Sequence, residues 1–332
     1  MADRALLFDV YRLNIVDEDT LTFEFMGKNI RQDSEIALIL EQVSKSDFDL
    51  DQESGRTTYR WSAREFARLD SSETDEIGPV YSLSLGRSTL QQRGQTVTDE
   101  SIEEALTTFS PPSAEIIHLL FYMKRHLVIA EYNSSMMQTQ AWRNSIHSML
   151  KRAARSLGFL SELHLEPIPR DEEILNAFRS FDRLTRLRVR LRLPNPEMDR
   201  RTERLRQDML RGEIREYTQD MKNPSGLSKA EDGLPFATAA MAQAGYKDGE
   251  VIMTGIRNTR RVTVRTGKIA VRGKLDGLKD FVRGIGATAR TAEGQRVVRS
   301  ILEEVDRIAE IPPQPLLDSP QNRSRDGEGR NL

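Results

Sequence analysis

The sequence predicts an α+β protein, mostly antiparallel sheets with flanking helices, arranged as two subdomains. Three observations lead there. The chain has 332 residues, more than one ordinary domain of ~100–200 residues. Short segments rich in strand-forming residues, several with apolar residues at period two, are joined by brief turns, the mark of hairpin-linked strands. Between them lie stretches whose apolar residues follow helical spacing.

In chain order, Ala5 to Ile15 reads as a strand, with Leu21 to Phe25 as its hairpin partner across a turn at Asp17–Asp19. Asp33 or Ser34 caps a helix carrying Ile36, Ile39, Leu40 and Val43 on one face. Asp47 to Gly55 is an acidic loop, and Thr57 to Trp61 and Val80 to Leu85 are strands. A short helix is expected from Thr98/Asp99 to Leu106, stopped by Pro111-Pro112, which also mark a domain boundary. Strands follow at Ala114–Met123 and Leu127–Tyr132, then a helix over 136–157 with Trp142, Ile146, Met149 and Leu150 aligned. Leu163 to Ile168 is a strand and Asp171 opens a helix. Leu184 to Leu193 is the clearest strand, ended by Pro194-Asn195-Pro196. A charged helix runs from Met198 to Arg211 and a small-residue helix from Phe236 to Ala244. Three β segments occupy Glu250–Ile256, Arg260–Arg265 and Lys268–Arg272; the last helix is Ala292–Glu310. The expected division is an acidic domain over 1–110, a basic domain over 111–310 and a disordered tail over 311–332.

No apolar run reaches the ~18 residues of a membrane helix, and Met1-Ala2-Asp3-Arg4 is neither a signal nor a transit peptide. There is no cysteine, which removes thiolate catalysis, disulfides and cysteine-ligated metals. A cytoplasmic protein is expected. The formal net charge of −2 conceals a strong polarity. Residues 1–100 hold 11 Lys+Arg against 20 Asp+Glu, whereas 181–310 hold 27 against 19. Screening over ~8 Å makes local charge, not bulk charge, the relevant quantity.

The most informative stretch is Arg186-Leu-Arg-Val-Arg-Leu-Arg-Leu193. Alternation sends Leu187, Val189, Leu191 and Leu193 to the core and Arg186, Arg188, Arg190 and Arg192 to the other face. Same-face neighbours then lie ~6.6–6.8 Å apart, close to the spacing of consecutive phosphates on one nucleic-acid strand. Guanidinium groups fork onto phosphate oxygens and stay charged, so the row suits a nucleic-acid backbone. Arg260, Arg261, Arg265, Lys268 and Arg272 make a second basic block on a predicted hairpin. No aromatic residues interleave with either block, which favours sequence-tolerant contact with duplex DNA over base stacking. The plain alternative is that this face pairs with the chain's own carboxylates. The acidic N-terminal part is expected to compete for these arginines when DNA is absent.

Catalytic signals are weak, and the chain reads more as a binder than an enzyme. His118, His126, His147 and His164 are too scattered for a metal motif, and His118 suits a hydrogen-bonded core position. Asp9 and Glu24, on paired strands, offer carboxylates for a cation in a metal-dependent nuclease; Glu131 and Glu166 are similar candidates. Gly284-Ile-Gly286-Ala-Thr288 lacks the Lys-Ser/Thr of a phosphate loop. No cofactor and no metal are assigned. A third reading is a subunit whose arginine face docks an acidic partner, such as a phage protein or another defence component.

From Ala114 to Leu275 the order of elements resembles the RexA-type prophage exclusion proteins and related bacterial anti-phage proteins. The resemblance is carried by the strand Leu165-Glu-Pro-Ile168, the acidic helix Asp171–Phe178 and the basic strand ending at Leu193-Pro194-Asn195-Pro196. A charged helix, a small-residue helix and the β segments at 250–272 follow. It implies sequence-independent DNA binding, a homodimer, a role in abortive infection or prophage exclusion, and no catalytic residues.

Overall fold

In the computed structural model, residues 5–17, 33–69, 78–192, 203–212, 214, 216–278, 282, 284–285 and 291–309 are described. The opening strand β1 (Leu6–Asp17) explains the layout. Leu6, Phe8 and Val10 join one core cluster while Tyr11 and Leu13 join another. A strand apolar on both faces needs cover on both. The first sheet also contains β2 (Leu50–Ser54), β3 (Thr57–Arg68), β4 (Val80–Val97), β5 (Ile102–Tyr122), β6 (Leu127–Glu131), β7 (Ser161–Pro167) and β12 (Arg272–Leu275). Its order is β12-β1-β6-β5-β4-β3-β2, all antiparallel. One edge of β1 is shared end to end: β12 pairs with Leu6–Asp9 and β7 with Tyr11–Asp17.

On one face lie α1 (Asp33–Val43) and α3 (Ala141–Ser156), preceded by the one-turn α2 (Ser134–Met137). Ile36, Ile39, Leu40 and Val43 meet Trp142, Ile146, Met149 and Leu150 there. On the other face, α7 (Ala292–Ile308) buries Val298, Ile301, Leu302 and Val305 against Leu6, Phe8, Leu127 and Ile129. Thr291 caps α7 by accepting from the Gly294 N–H. Gly273, opposite Phe8 across β1/β12, leaves room for the ring: a Cβ there would lie 2.6 Å from Phe8 Cε2. Gly273→Ala should therefore cost about 1–3 kcal/mol of stability, read by urea unfolding; a loss below that range would mean that β12 shifts freely.

The second sheet contains β8 (Arg183–Arg192), β9 (Glu216–Lys222), β10 (Val251–Arg257) and β11 (Arg260–Thr266), in the antiparallel order β11-β10-β8-β9. Leu184, Leu187, Val189 and Leu191 pack with α4 (Glu173–Arg179), α5 (Glu203–Arg211) and α6 (Leu234–Gln243), through Phe178, Met209, Phe236 and Met241. The α+β class with mostly antiparallel sheets is thus the observed one.

Several expectations are corrected. Residues 102–106 are strand, not helix: β5 runs unbroken from Ile102 to Tyr122. Its prolines are tolerated because Thr108 pairs with Gln91 and Ser113 with Thr89, so residues 109–112 bulge out opposite Leu90. The boundary expected at Pro111-Pro112 therefore falls inside a strand, and the first sheet draws on both sides of it. Residues 47–55 form a short 3-10 turn and β2 in place of a loop, and β9 was not foreseen. Leu21–Phe25, Pro194-Asn195-Pro196 and the tail over 311–332 lie outside the described residues. No helix among the described residues is long and apolar enough to cross a membrane.

Candidate nucleic-acid interface

The inward leucines of β8 fix which way its arginines point, and the neighbouring strands decide what those arginines meet. Arg186 makes two hydrogen bonds to Asp220 on β9, at 2.7 and 2.8 Å. These hydrogen bonds are the main reason the Asp220 carboxyl falls to about 2. Arg190 is held by Glu216 at 2.5 Å and Asp248 at 2.8 Å. Arg192 is a correction: it is only 4% exposed and meets Glu166 of the first sheet at 3.5 Å, with Glu216 and Asp248 beside it. The end of β8 abuts the first sheet, so the alternation that exposes Arg188 buries Arg192. Arg188 is exposed and makes no side-chain hydrogen bond or ion pair with a described residue.

The second basic block splits. Arg261 and Arg265 share the outer face with the β8 row, because the register runs Arg183–Ile256–Arg261 and Arg188–Ile252–Arg265 across β8, β10 and β11. Two strand spacings set these columns roughly 9–10 Å apart, with Ile252, Thr254 and Ile256 as an uncharged floor between them. Arg265 and Lys268 share Glu250, at 2.7 and 3.0 Å. Arg257 and Arg260 flank the Asn258–Thr259 turn. Arg183, Arg257, Arg260 and Arg261 are exposed and, like Arg188, unpaired among the described residues. Arg272 is the second correction. It lies on β12 of the first sheet, bound to Asp9 at 2.7 and 3.0 Å and stacked 3.3 Å from the Tyr132 ring centre.

Residues 91–274 match the model of the family described as Domain of unknown function (DUF4747). The chain belongs to that family. None of the curated proteins matches it. The DUF4747 match takes in the whole second sheet with its arginine columns, together with β5, β6, β7 and most of β12. It leaves out β1, β2 and β3.

Asp9 is occupied by Arg272, and Glu24 lies outside the described residues. Glu131 faces His118 Nε2 at 3.9 Å, while His118 Nδ1 lies 3.0 Å from Ser84 Oγ, so His118 is the buried, bonded core residue expected. Glu166 belongs to a charge cluster between the sheets, 3.6 Å from Lys247, 3.5 Å from Arg192 and 4.0 Å from Arg143. Burial raises the Glu166 carboxyl and lowers the Lys247 ammonium to about 8. Arg12, on β1, closes the same junction by donating to the Ala244 carbonyl at 3.0 Å. Among the described residues, the partners of the arginines in β8 and β11 come from Glu166 and from residues 216–250, not from residues 1–110. Of the arginines for which the acidic N-terminal part is expected to compete, Arg272 does pair with it, on Asp9, whereas Arg186, Arg190, Arg192 and Arg265 are held by Glu166 and by carboxylates of the second sheet and its turns.

The histidines were expected to be scattered, yet His147 and His164 stack at 4.1 Å beside Glu162. No sequence motif signals this, because helix α3 and strand β7 bring together residues 17 positions apart.

Proposed function

We propose that the outer face of the second sheet binds duplex DNA through its phosphates, without sequence preference. One observation carries the reading: arginines from β8 and β11 stand in two columns on one face, and Arg183, Arg188 and Arg261 make no ion pair among the described residues. Unpaired guanidiniums are free to exchange water for phosphate, whereas Arg190 would have to leave two carboxylates first. Contact would begin at Arg183, Arg188, Arg257, Arg260 and Arg261, with Arg186 and Arg265 recruited if their carboxylates yield. The uncharged, non-aromatic floor favours backbone contact over stacked bases. The resemblance to phage-exclusion proteins supports a setting in anti-phage defence, as a homodimer.

Binding of the full chain to two unrelated duplexes, followed by fluorescence anisotropy over a salt series, tests this. Four or five phosphate contacts should give a log–log slope of about −3.6 to −4.5, equal for both sequences. Asp220→Asn removes the partner of Arg186 and Lys222 and should steepen the slope by about 0.9–1.8. No binding at low salt, or an affinity indifferent to salt, would overturn the proposal in favour of an acidic protein partner.

A further inference from the structure

The histidine pair at the edge of β7 has a geometry of its own. Along β7, alternation sends Glu162 and His164 to one side. His147 reaches them from α3, whose Arg143 and His147 lie one turn apart and cover the carbonyls of Leu165 and Leu163 at 3.0 and 2.9 Å. A carbonyl only accepts, so His147 Nδ1 carries the proton in that bond. In the neutral ring, Nε2 then presents a lone pair to Glu162 Oε2 at 3.7 Å, one acceptor facing another. His164 Nε2 lies 3.2 Å from the same oxygen. Lys151 holds the other oxygen, Oε1, and Oε2 is the oxygen that both histidine Nε2 atoms face.

We propose that His147 Nε2, His164 Nε2 and Glu162 Oε2 form a site for one divalent transition-metal ion of the zinc type, with a fourth position open to solvent. Two imidazoles and a carboxylate are an established zinc donor set, and such sites keep an open position. Ligands at ~2.0–2.2 Å from a tetrahedral ion lie about 3.3–3.6 Å from one another. The three atoms here all lie within 4.8 Å of one another, and two of the separations already straddle that range. The hydrogen bond from His147 to the Leu163 carbonyl is the outer contact that typically orients a metal-bound histidine. The two rings are inclined by only 23°, so their lone pairs lie in nearly parallel planes that do not meet at one ion. Coordination therefore requires the His164 ring to turn about its Cβ–Cγ bond. Its Nδ1 bonds no described residue, so the rotation gives up only the stacking on His147 and is guided by the Glu162 carboxylate that Nε2 already faces.

The test uses the full chain dialysed against micromolar zinc chloride, with bound metal counted by mass spectrometry, and cobalt as a spectroscopic substitute. One ion per chain and the intense visible absorption of four-coordinate cobalt are expected. Both should disappear in the double variant His147→Ala/His164→Ala and persist in His118→Ala/His126→Ala. If the first double variant fails to fold by circular dichroism, His164→Asn alone should show the same loss. Less than half an ion per wild-type chain, or an ion retained when His164 is replaced, would overturn the assignment.

Discussion

Glu166→Gln should lower the free energy of unfolding by about 3–5 kcal/mol, the usual result of removing one partner from a buried ion cluster. Glutamine keeps the shape and withdraws only the charge. Arg143, Arg192 and Lys247 would then confront one another, and Lys247 is 0% exposed, so water cannot screen the repulsion. Lys247→Met should cost far less, because Glu166 keeps Arg192 and Arg143. The pH dependence follows from Lys247. Its pKa of about 8 lies below the ordinary lysine value of 10.5, so the folded chain binds fewer protons than the unfolded chain between those values. Stability attributable to Lys247 therefore rises with pH across pH 8 to 10.5. The recovery should be larger in Glu166→Gln, where the ammonium has lost its carboxylate. Urea unfolding at pH 7 and pH 10 measures both effects; a loss under 1 kcal/mol at pH 7 would mean that the cluster is wetter than its geometry indicates.

Reversing Arg188 and Arg261 together to glutamate should weaken duplex binding at least about 100-fold near physiological salt and flatten the salt slope by about 1.8. Each substitution removes a phosphate contact and adds a repulsive charge on the same face. Neither arginine has an ion-pair partner among the described residues, so stability should change by no more than about 0.5 kcal/mol per site. That separates a loss of binding from a loss of fold. Lys45→Glu, beyond the α1 helix on the first sheet, should leave affinity unchanged. Undiminished binding by the double reversal would move the contact surface away from the second sheet.

The elements that could be read from the chain are those whose signal is local. The α1 face of Ile36, Ile39, Leu40 and Val43 and the α3 face of Trp142, Ile146, Met149 and Leu150 are both buried as their spacing requires. The two faces of β8 were equally readable, since strand alternation needs no partner. What failed was whatever depended on a distant strand. Ile102 to Leu106 has no decisive period, and it is strand because β4 extends far enough to pair with it. Residues 216–222 carry only Tyr217 and Met221 as large apolar side chains, too few to mark a strand in the sequence, yet they supply Glu216 and Asp220.

The chain by itself determined that arginines would crowd one face of β8 and that a second basic hairpin would follow, because side-chain direction along a strand is set by backbone geometry alone. Only the tertiary structure decided which of those charges remain unpaired. Counter-ions arrive by strand registry and sheet contact: Asp220 across β9, Glu166 across the junction, Asp9 from the far terminus. The same long-range packing joined His147, Glu162 and His164. A short-range pattern orients a side chain, whereas its electrostatic state belongs to neighbours that the linear order does not reveal.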